Sequence, residues 1–274
     1  MVVRPGFELA NLTDRGCVRE RNEDYYGYFE PEDDEAFRKR GRLMVVADGM
    51  GGHEGGQVAS GIAVETVRRR WAEGEGAPGE DLVTAVSCAH NAIVDCAREH
   101  AELAGMGTTC TAAAVIGGLL YYAHAGDSRL YLIHGGEIRR LTRDQSLVQR
   151  LVDSGAITEA EAADHPDRNV LVSALGMRGA VSVEMSDGGI PLGPGDVLLL
   201  STDGLHGLVG DAELLAAATE CEPREACFKL VQLAKDRGGP DNITLQIGRV
   251  AGAPPRKPAA GMKKTRPEFI GERK

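Results

Sequence analysis

The chain has 274 residues, which is enough for one large domain or two small ones. A hydrophobic fraction of 42% and a charged fraction of 26% are ordinary for a globular protein, and the net charge of −10 argues against non-specific nucleic-acid binding. No stretch approaches the roughly 20 apolar residues that a membrane-spanning helix needs.

The first part of the chain predicts three strands. They are the apolar or aromatic runs Phe7–Thr13, Tyr25–Phe29 and Leu43–Ala47. Between the first two strands, charged side chains crowd into RERNED, residues 19–24. The charged residues 30–41 are expected to form a solvated loop.

The third strand ends at Asp48, and five of the next eight residues are glycine. Glycine lets the backbone pass close to a ligand. The two carboxylate oxygens of Asp48 and the peptide carbonyl of Gly49 are hard ligands of the kind that Mg²⁺, Mn²⁺ or Ca²⁺ prefers. An acidic turn without a ligand is the alternative, because Asp-Gly is a common turn dipeptide.

The middle of the chain predicts helices followed by hairpins. Helices are expected at Val58–Trp71 and Asp81–Ala104 from apolar residues at helical spacing. Two strands within Gly107–Asp127 join at Gly117-Gly118, and Leu130–Ile133 and Glu137–Leu141 form a second hairpin. A short helix is expected at Ser146–Ser154, and the capping-box residues Thr158–Glu161 open another. Residues 164–180 are expected to be irregular.

The last part predicts strands at Val181–Met185, Asp196–Ser201 and Ile243–Val250, with helices at Asp211–Thr219 and Arg224–Arg237. Many hairpin strands with long helices between them indicate an α+β layered fold. Residues 252–274 are Pro-rich with a net charge of +5. We expect a folded domain over residues 1–251 and a basic, disordered tail over residues 252–274.

Further carboxylates repeat the arrangement at Asp48. Asp127 and Asp203 each follow a predicted strand, and Asp241 lies in a turn just before one. If they meet, two charges about 4 Å apart repel by about 4 kcal/mol at an effective dielectric near 20. A cation or protonation would make such a cluster tolerable. Water that bridges two such cations loses a proton near neutral pH and becomes a nucleophile.

Six motifs occur in a familiar order: RERNED, ADGMGGHEGG, GTTC, AGDSR, STDGL and GGPDNIT. Together they resemble the metal-dependent serine/threonine protein phosphatases of the 2C type in their bacterial form, from about Phe7 to Val250. The resemblance implies a four-layer α/β/β/α sandwich, two antiparallel sheets flanked by helices. It also implies hydrolysis of phosphoserine and phosphothreonine in proteins by a hydroxide bridging two Mg²⁺ or Mn²⁺ ions, opposing serine/threonine kinases.

The resemblance also assigns metal-site roles, residue by residue. Asp48 corresponds to the carboxylate that bridges two metals and Gly49 to a carbonyl ligand. Asp203 and Asp241 correspond to ligands of the second metal, and Asp127, with Asp203, to a third and weaker site. The acids that hold metal-bound water correspond to Glu23 and Asp24.

Arg19 corresponds to the arginine that grips the substrate phosphate, because its offset from Asp24 is that of the family; Arg21 is the rival. Asn242 is expected to orient Asp241 or a water. Where eukaryotic members have a histidine proposed as general acid, this chain has Met50. His53, His206 or metal-bound water are the remaining candidates to protonate the leaving group.

Residues 153–180 correspond to the variable flap of the family, which helps to choose substrates. No cysteine lies in the C-x₅-R setting of cysteine phosphatases. The six cysteines form no C-x-x-C pair, and MVVRPGFELA lacks the apolar core of a signal peptide, so we expect a cytoplasmic protein with reduced thiols. We also expect a monomer. Two alternatives remain open: a phosphoprotein-binding domain with a decayed metal site, and a specialised phosphatase of anti-anti-sigma factors.

Overall fold

Two antiparallel β-sheets face each other in a computed structural model that describes residues 3–51 and 54–252. The strands are β1 Phe7–Asp14, β2 Tyr25–Phe29, β3 Arg42–Ala47, β4 Gly49–Met50, β5 Gly107–Thr108, β6 Cys110–Ile116, β7 Leu119–Ala125, β8 Arg129–His134, β9 Glu137–Arg140, β10 Glu184–Met185, β11 Ile190–Pro191, β12 Val197–Ser201 and β13 Ile243–Val250. The helices are α1 Asp34–Arg40, α2 Gly55–Glu73, α3 Pro78–Glu99, α4 Leu147–Asp153, α5 Glu159–Ala163, α6 Asp203–His206, α7 Asp211–Glu220 and α8 Pro223–Asp236.

One sheet has the strand order β1-β13-β12-β8-β9, and the other has β10-β7-β6-β3-β2 with β11 beside β7. The register of β1 against β13 runs without a break from Phe7 opposite Val250 to Asp14 opposite Ile243. Every pairing in both sheets is antiparallel. The chain termini of neighbouring strands therefore alternate along each edge.

Strand β3 shows why the apolar runs lack polar alternation. Leu43, Val45 and Ala47 face the layer of α2 and α3, whereas Met44 and Val46 face the opposite sheet. Both faces are buried, so both need apolar side chains. Helices α7 and α8 cover the outer face of the other sheet. The expected four-layer α/β/β/α sandwich is confirmed.

Most predicted elements are present, but the loop expected at residues 30–41 is wrong, because it contains α1. The Asp33 side chain caps that helix by accepting hydrogen bonds from the backbone N–H groups of Glu35 and Ala36. Acidic residues in its first turn and basic ones in its last complement the helix dipole.

Two further boundaries differ from the prediction. The helix expected to reach Ala104 ends at Glu99, since His100 is extended, and a 3₁₀ turn follows at Ala101–Leu103. Of the strand expected at Val181–Met185, only Glu184–Met185 pairs with β7. Across the described ranges, none of the helices has both the length and the apolar character to cross a membrane. The expected tail, apart from residue 252, lies outside the described residues.

Candidate metal centre

The antiparallel topology brings the predicted carboxylates to one end of the sandwich. Asp48 directly follows β3, whose last residues lie beside the start of β6. Asp127 follows β7, which pairs with β6 so that Ala125 lies opposite Cys110. Asp203 follows β12, whose end lies beside the starts of β8 and β13. Asp241 precedes β13, so that all four aspartates lie at the same end of the sandwich, three in loops and Asp203 at the start of α6.

The Asp48 and Asp203 side chains lie close enough to affect each other's pKa. Burial raises the pKa of Asp48 well above its ordinary value, and the nearby charges of Asp24, Asp203, Asp127 and Asp241 raise it further. Burial also raises the pKa of Asp203, and Asp241 adds to that rise. The groups therefore repel one another in the absence of a compensating cation.

The carboxyl groups of Asp24 and Asp127 also have raised pKa values. Burial raises the pKa of Asp24 to about 7, although Thr244 and Thr202 hydrogen-bond its carboxylate, and Thr202 Oγ1 lies 2.9 Å from Asp24 Oδ2. Burial raises the pKa of Asp127 to about 8, and the charge of Asp203 contributes. Burial likewise raises the pKa of Glu23.

Two carboxylate oxygens at this end of the sandwich are free to bind a cation, which would relieve that repulsion. Asp24 Oδ1 and Asp203 Oδ1 are buried and have no hydrogen-bond partner among the described residues. A buried acceptor without a partner is costly unless a cation or proton supplies one. The donor set consists of oxygen atoms, which suits Mg²⁺ or Mn²⁺. The residues present therefore fit a divalent ion.

No three His, Cys, Asp or Glu side chains in residues 3–51 and 54–252 form a group that could enclose an ion by themselves. Ions at this centre would need water and main-chain oxygen to complete their coordination. Mg²⁺ commonly keeps several waters and binds few carboxylates, so this arrangement is compatible with it.

Two glycines permit the close approach of the loops. A Cβ on Gly49 would lie 2.1 Å from the carbonyl oxygen of Gly56 and 2.5 Å from that of Glu23. A Cβ on Gly204 would lie 1.9 Å from the carbonyl oxygen of Asn242. Any side chain at either position would push apart the segments that carry the aspartates.

Arg19 reaches this cluster, whereas Arg21 turns away from it. Arg19 Nη2 lies 2.7 Å from Asp241 Oδ2, and Arg21 Nη1 lies 2.8 Å from Glu54 Oε1. The hydrogen bond to Asp241 raises the pKa of Arg19. Both arginines are about half exposed, at 52% and 55% of their side chains.

Two cavities flank the carboxylates. One, of about 780 Å³, is lined by both arginines and Glu23. The other, of about 610 Å³, is lined by Asp127, Asp203 and Asp241 together with side chains of α4, α5 and the following loop. The expected flap, residues 153–180, thus forms one wall of the cavity that opens on the aspartates.

Asn242 makes contacts with the main chain that the sequence did not predict. Its side-chain amide donates to the carbonyl oxygens of Arg15 and Arg21, and its Oδ1 accepts from the N–H of Glu23. Only its backbone N–H contacts Asp241, at 2.8 Å from Oδ1. The side-chain amide therefore fastens the loop that carries Arg19, and the backbone N–H holds the Asp241 carboxylate.

Of the two histidine candidates for general acid, His53 lies outside the described residues and His206 lies within them. His206 Nδ1 is 3.0 Å from Ser201 Oγ, and burial holds the pKa of His206 well below its ordinary value, with the charges of Arg129 and Arg140 adding to the effect. This shift disfavours the protonated form of His206 that would donate a proton. Met50, which stands where eukaryotic members have a histidine, packs against Gly107.

The sequence prediction missed a set of buried hydroxyl groups around Asp48. Thr108 Oγ1 donates to the carbonyl oxygen of Asp48, and Thr109 Oγ1 accepts from its N–H. Both threonines belong to the GTTC motif, which served only as a marker of resemblance. Their position at the start of the strand beside β3 is the signal that identifies them.

Comparisons with known proteins identify the family of the chain. A family model described as protein phosphatase 2C matches residues 20–228. The serine/threonine phosphatase stp of Listeria innocua is 37% identical over 243 residues, which cover 86% of this chain and 92% of that protein. The solved serine/threonine phosphatase of S. agalactiae is 34% identical with a TM-score of 0.79, over 89% of this chain and 99% of the other. The catalytic domain of the phosphatase PstP, solved with two manganese ions, is 34% identical with a TM-score of 0.76, over 90% and 99%.

Proposed function

The chain belongs to the protein phosphatase 2C family of metal-dependent serine/threonine phosphatases, and from that membership we propose that it hydrolyses phosphoserine and phosphothreonine in proteins with two Mg²⁺ or Mn²⁺ ions and a possible third. The observation that carries this proposal is the gathering of Asp48, Asp127, Asp203 and Asp241 at one end of the sandwich. The metal-ion chemistry is supported by the oxygen-rich donor set and by the manganese in the related PstP structure.

We propose Asp48 as the carboxylate that two ions would share, the Gly49 carbonyl as a further ligand, and Asp203 and Asp241 as ligands of the second ion. Asp127, with Asp203, would hold a third ion, and Asp24 and Glu23 would act through water. When bound, paired divalent ions lower the pKa of water so that a nucleophile exists near neutral pH, and they neutralise charge on phosphoryl oxygens.

The protein's own groups bind and orient the phosphate. The Arg19 guanidinium is planar and offers a fork of N–H donors that fits phosphate oxygens. Its partner in this structure is Asp241 Oδ2, and its side chain is 52% exposed, so one face stays available to a ligand. Arg19 would hold the phosphate beside the carboxylates, in line for attack by water.

The leaving oxygen of serine or threonine must take up a proton. Burial lowers the pKa of His206, which is hydrogen-bonded to Ser201, and Met50 has no proton to give. His53 and water therefore remain the two candidate proton donors. The flap wall of the 610 Å³ cavity, which includes Glu159 and Arg168, would contact the peptide on either side of the phosphorylated residue and select among substrates.

The cellular setting follows from the same chemistry. All six cysteines lie in the described ranges and are free thiols, which supports a reducing compartment such as the cytoplasm. The substrates would be phosphoproteins made by a serine/threonine kinase, which this enzyme would oppose in signalling. We further propose that the phosphatase domain comprises residues 1–251 and that the chain acts as a monomer.

The direct experiment measures phosphate release from p-nitrophenyl phosphate and from a phosphothreonine peptide. Activity that requires Mn²⁺ and stops with EDTA supports the proposal. Binding of the phosphopeptide without turnover at saturating Mn²⁺ would instead favour a phosphoprotein-binding domain with a decayed site. Turnover of a phosphorylated anti-anti-sigma factor alone, with none of general phosphopeptides, would favour the specialised alternative.

A further inference from the structure

Two buried hydroxyl groups lie between the segment that carries Asp48 and the segment that carries Asp127. Thr109 Oγ1 and Ser128 Oγ are 2.6 Å apart, Thr109 is 2% exposed and Ser128 is 0% exposed. Water cannot take the place of either partner at such a buried position. A hydrogen bond there is stronger than the same bond in solvent, and its loss leaves a buried polar atom without a partner.

Thr109 holds the main chain of Asp48 from both sides. The N–H of Asp48 donates to Thr109 Oγ1 at 2.9 Å. The N–H of Thr109 donates to the carbonyl oxygen of Asp48, also at 2.9 Å. Because the Thr109 hydroxyl oxygen accepts from Asp48, the hydroxyl links the Asp48 backbone directly to Ser128.

Thr109 also contacts the turn on the other side of Asp127. Gly126 has a φ of +110°, and a Cβ built there would lie 2.6 Å from the Thr109 methyl carbon. The methyl group therefore packs against the residue before Asp127, while the hydroxyl bonds the residue after it. One side chain thus fixes both neighbours of Asp127 and the backbone of Asp48.

We propose that the Thr109–Ser128 hydroxyl pair is a positioning device that fixes the spacing between the Asp48 and Asp127 carboxylates and thereby sets the affinity of the centre for divalent ions. This inference rests on the proposed function, since it concerns the same ligands. Thr109 and Ser128 are positioning residues, because each acts through an aspartate. Outer groups that hold ligands in place commonly govern metal affinity.

The test is a Mn²⁺ titration of the full chain in which electron paramagnetic resonance measures free Mn²⁺. Thr109→Val keeps the methyl packing and removes the acceptor for Asp48 N–H, and Ser128→Ala removes the other half of the pair. We expect each to weaken Mn²⁺ binding by roughly 10–100-fold, the usual cost of losing a group that supports a ligand. Thr109→Ser, which keeps the hydroxyl, should restore most of the affinity.

Thr142→Val is the matched control. Thr142 is 3% exposed, and its Oγ1 accepts a hydrogen bond from the N–H of Leu130 at 3.1 Å. Thr142→Val therefore loses the same kind of buried hydrogen bond, but one that involves neither Asp48 nor a neighbour of Asp127. Thermal unfolding of each metal-free variant shows whether it folds. If Thr109→Val does not fold, the Mn²⁺ affinity of Ser128→Ala alone tests the inference. Mn²⁺ affinities of Thr109→Val and Ser128→Ala no weaker than that of Thr142→Val would overturn the inference.

The same titration separates this inference from the proposed function. A wild-type chain that neither binds Mn²⁺ nor releases phosphate overturns both. A wild-type chain that does both, with Thr109→Val and Ser128→Ala binding Mn²⁺ equally well, overturns only the positioning role.

Discussion

Arg19 Nη2 lies 2.7 Å from Asp241 Oδ2, so the residue proposed to bind phosphate is the ion partner of a residue proposed to bind metal. The two are 222 positions apart in the chain, and the contact depends on the loop that Asn242 fastens. The guanidinium of Arg19 offsets part of the negative charge of the Asp241 carboxylate. It also predicts different consequences for removing the arginine and for removing an aspartate.

Arg19→Ala should raise KM for a phosphopeptide by roughly tenfold or more while kcat changes little, because it removes binding that exists before the transition state. It should not weaken Mn²⁺ binding, since it frees Asp241 from a competing cation. Steady-state kinetics and a Mn²⁺ titration provide the two readouts. A fall in kcat with unchanged KM would contradict the clamp role.

Arg21→Ala is the control for this prediction. Arg21 lines the same cavity and is equally exposed, at 55%, but it pairs with Glu54 rather than with a carboxylate of the centre. We expect its KM to stay near that of the wild type. If Arg21→Ala raised KM and Arg19→Ala did not, the two assignments would have to be exchanged.

Asp48→Asn should lower kcat by orders of magnitude at saturating Mn²⁺, because the amide offers one neutral oxygen where the carboxylate serves two ions. The variant should remain folded, since its amide keeps the shape of the side chain and removes a charge from a repelling group. Circular dichroism checks the fold, and phosphate release gives kcat. Near-normal turnover would show that Asp48 is not the shared ligand.

The sequence indicated which aspartates could meet, but by itself it left open whether they do. Each lies at the end of an apolar run, and the runs were recognisable because both faces of strands such as β3 are buried. In antiparallel sheets, hairpin-connected strands return to the same edge, so carboxylates at alternate strand ends converge. Helix α1 was missed because its residues are mostly charged, and its start is fixed by the local Asp33 cap.

The partners of the site residues were beyond the reach of the sequence. The Arg19–Asp241 pair, the Asn242 contacts with Arg15 and Arg21, and the Thr109–Ser128 pair all join segments that are distant along the chain. No periodicity or turn pattern encodes such pairings. A polar residue beside a motif can be recognised, but its partner depends on how the sheets pack.

Gly49→Ala should abolish phosphatase activity and destabilise the protein, because its Cβ would meet the Gly56 carbonyl oxygen at 2.1 Å. Gly61→Ala is the matched control, since Gly61 lies inside α2 and its Cβ would meet nothing within 4 Å. That change should stabilise the protein by about 0.5–1 kcal/mol, the usual gain from removing a helical glycine. Thermal unfolding and phosphate release test both, and full activity in Gly49→Ala would mean that the loops can separate without harm.

Deleting residues 252–274 should leave turnover of p-nitrophenyl phosphate unchanged. Among residues 3–51 and 54–252, the contacts found at the candidate centre are made by residues no later in the chain than Thr244. The assay compares kcat and KM of the shortened chain with those of the full chain. A large loss of activity on this small substrate would place part of the basic segment at the centre, whereas a loss limited to phosphoproteins would indicate substrate contact.

The stability of the metal-free protein should fall as pH rises from 7 to 8.5. The folded-state pKa values of Asp24 and Asp127 are raised to about 7 and about 8 from 3.8. The native state therefore holds protons that the unfolded chain has already lost, and this stabilisation is complete below pH 3.8 and disappears as pH passes through 7 and 8. Burial lowers the pKa of His124 to about 4, which acts in the opposite direction but is complete above its ordinary pKa of 6.5.

The window from pH 7 to 8.5 thus excludes the contribution of His124. We expect the free energy of unfolding to fall by about 1–2 kcal/mol across it, or a few degrees in Tm. Asp127→Asn should flatten the dependence, because it removes one of the titrating groups. Saturating Mn²⁺ should also flatten it, because the ion binds the charged carboxylates and replaces the lost protons. Differential scanning calorimetry with and without EDTA measures this, and a metal-free Tm that rises from pH 7 to 8.5 would contradict the clustering of these charges.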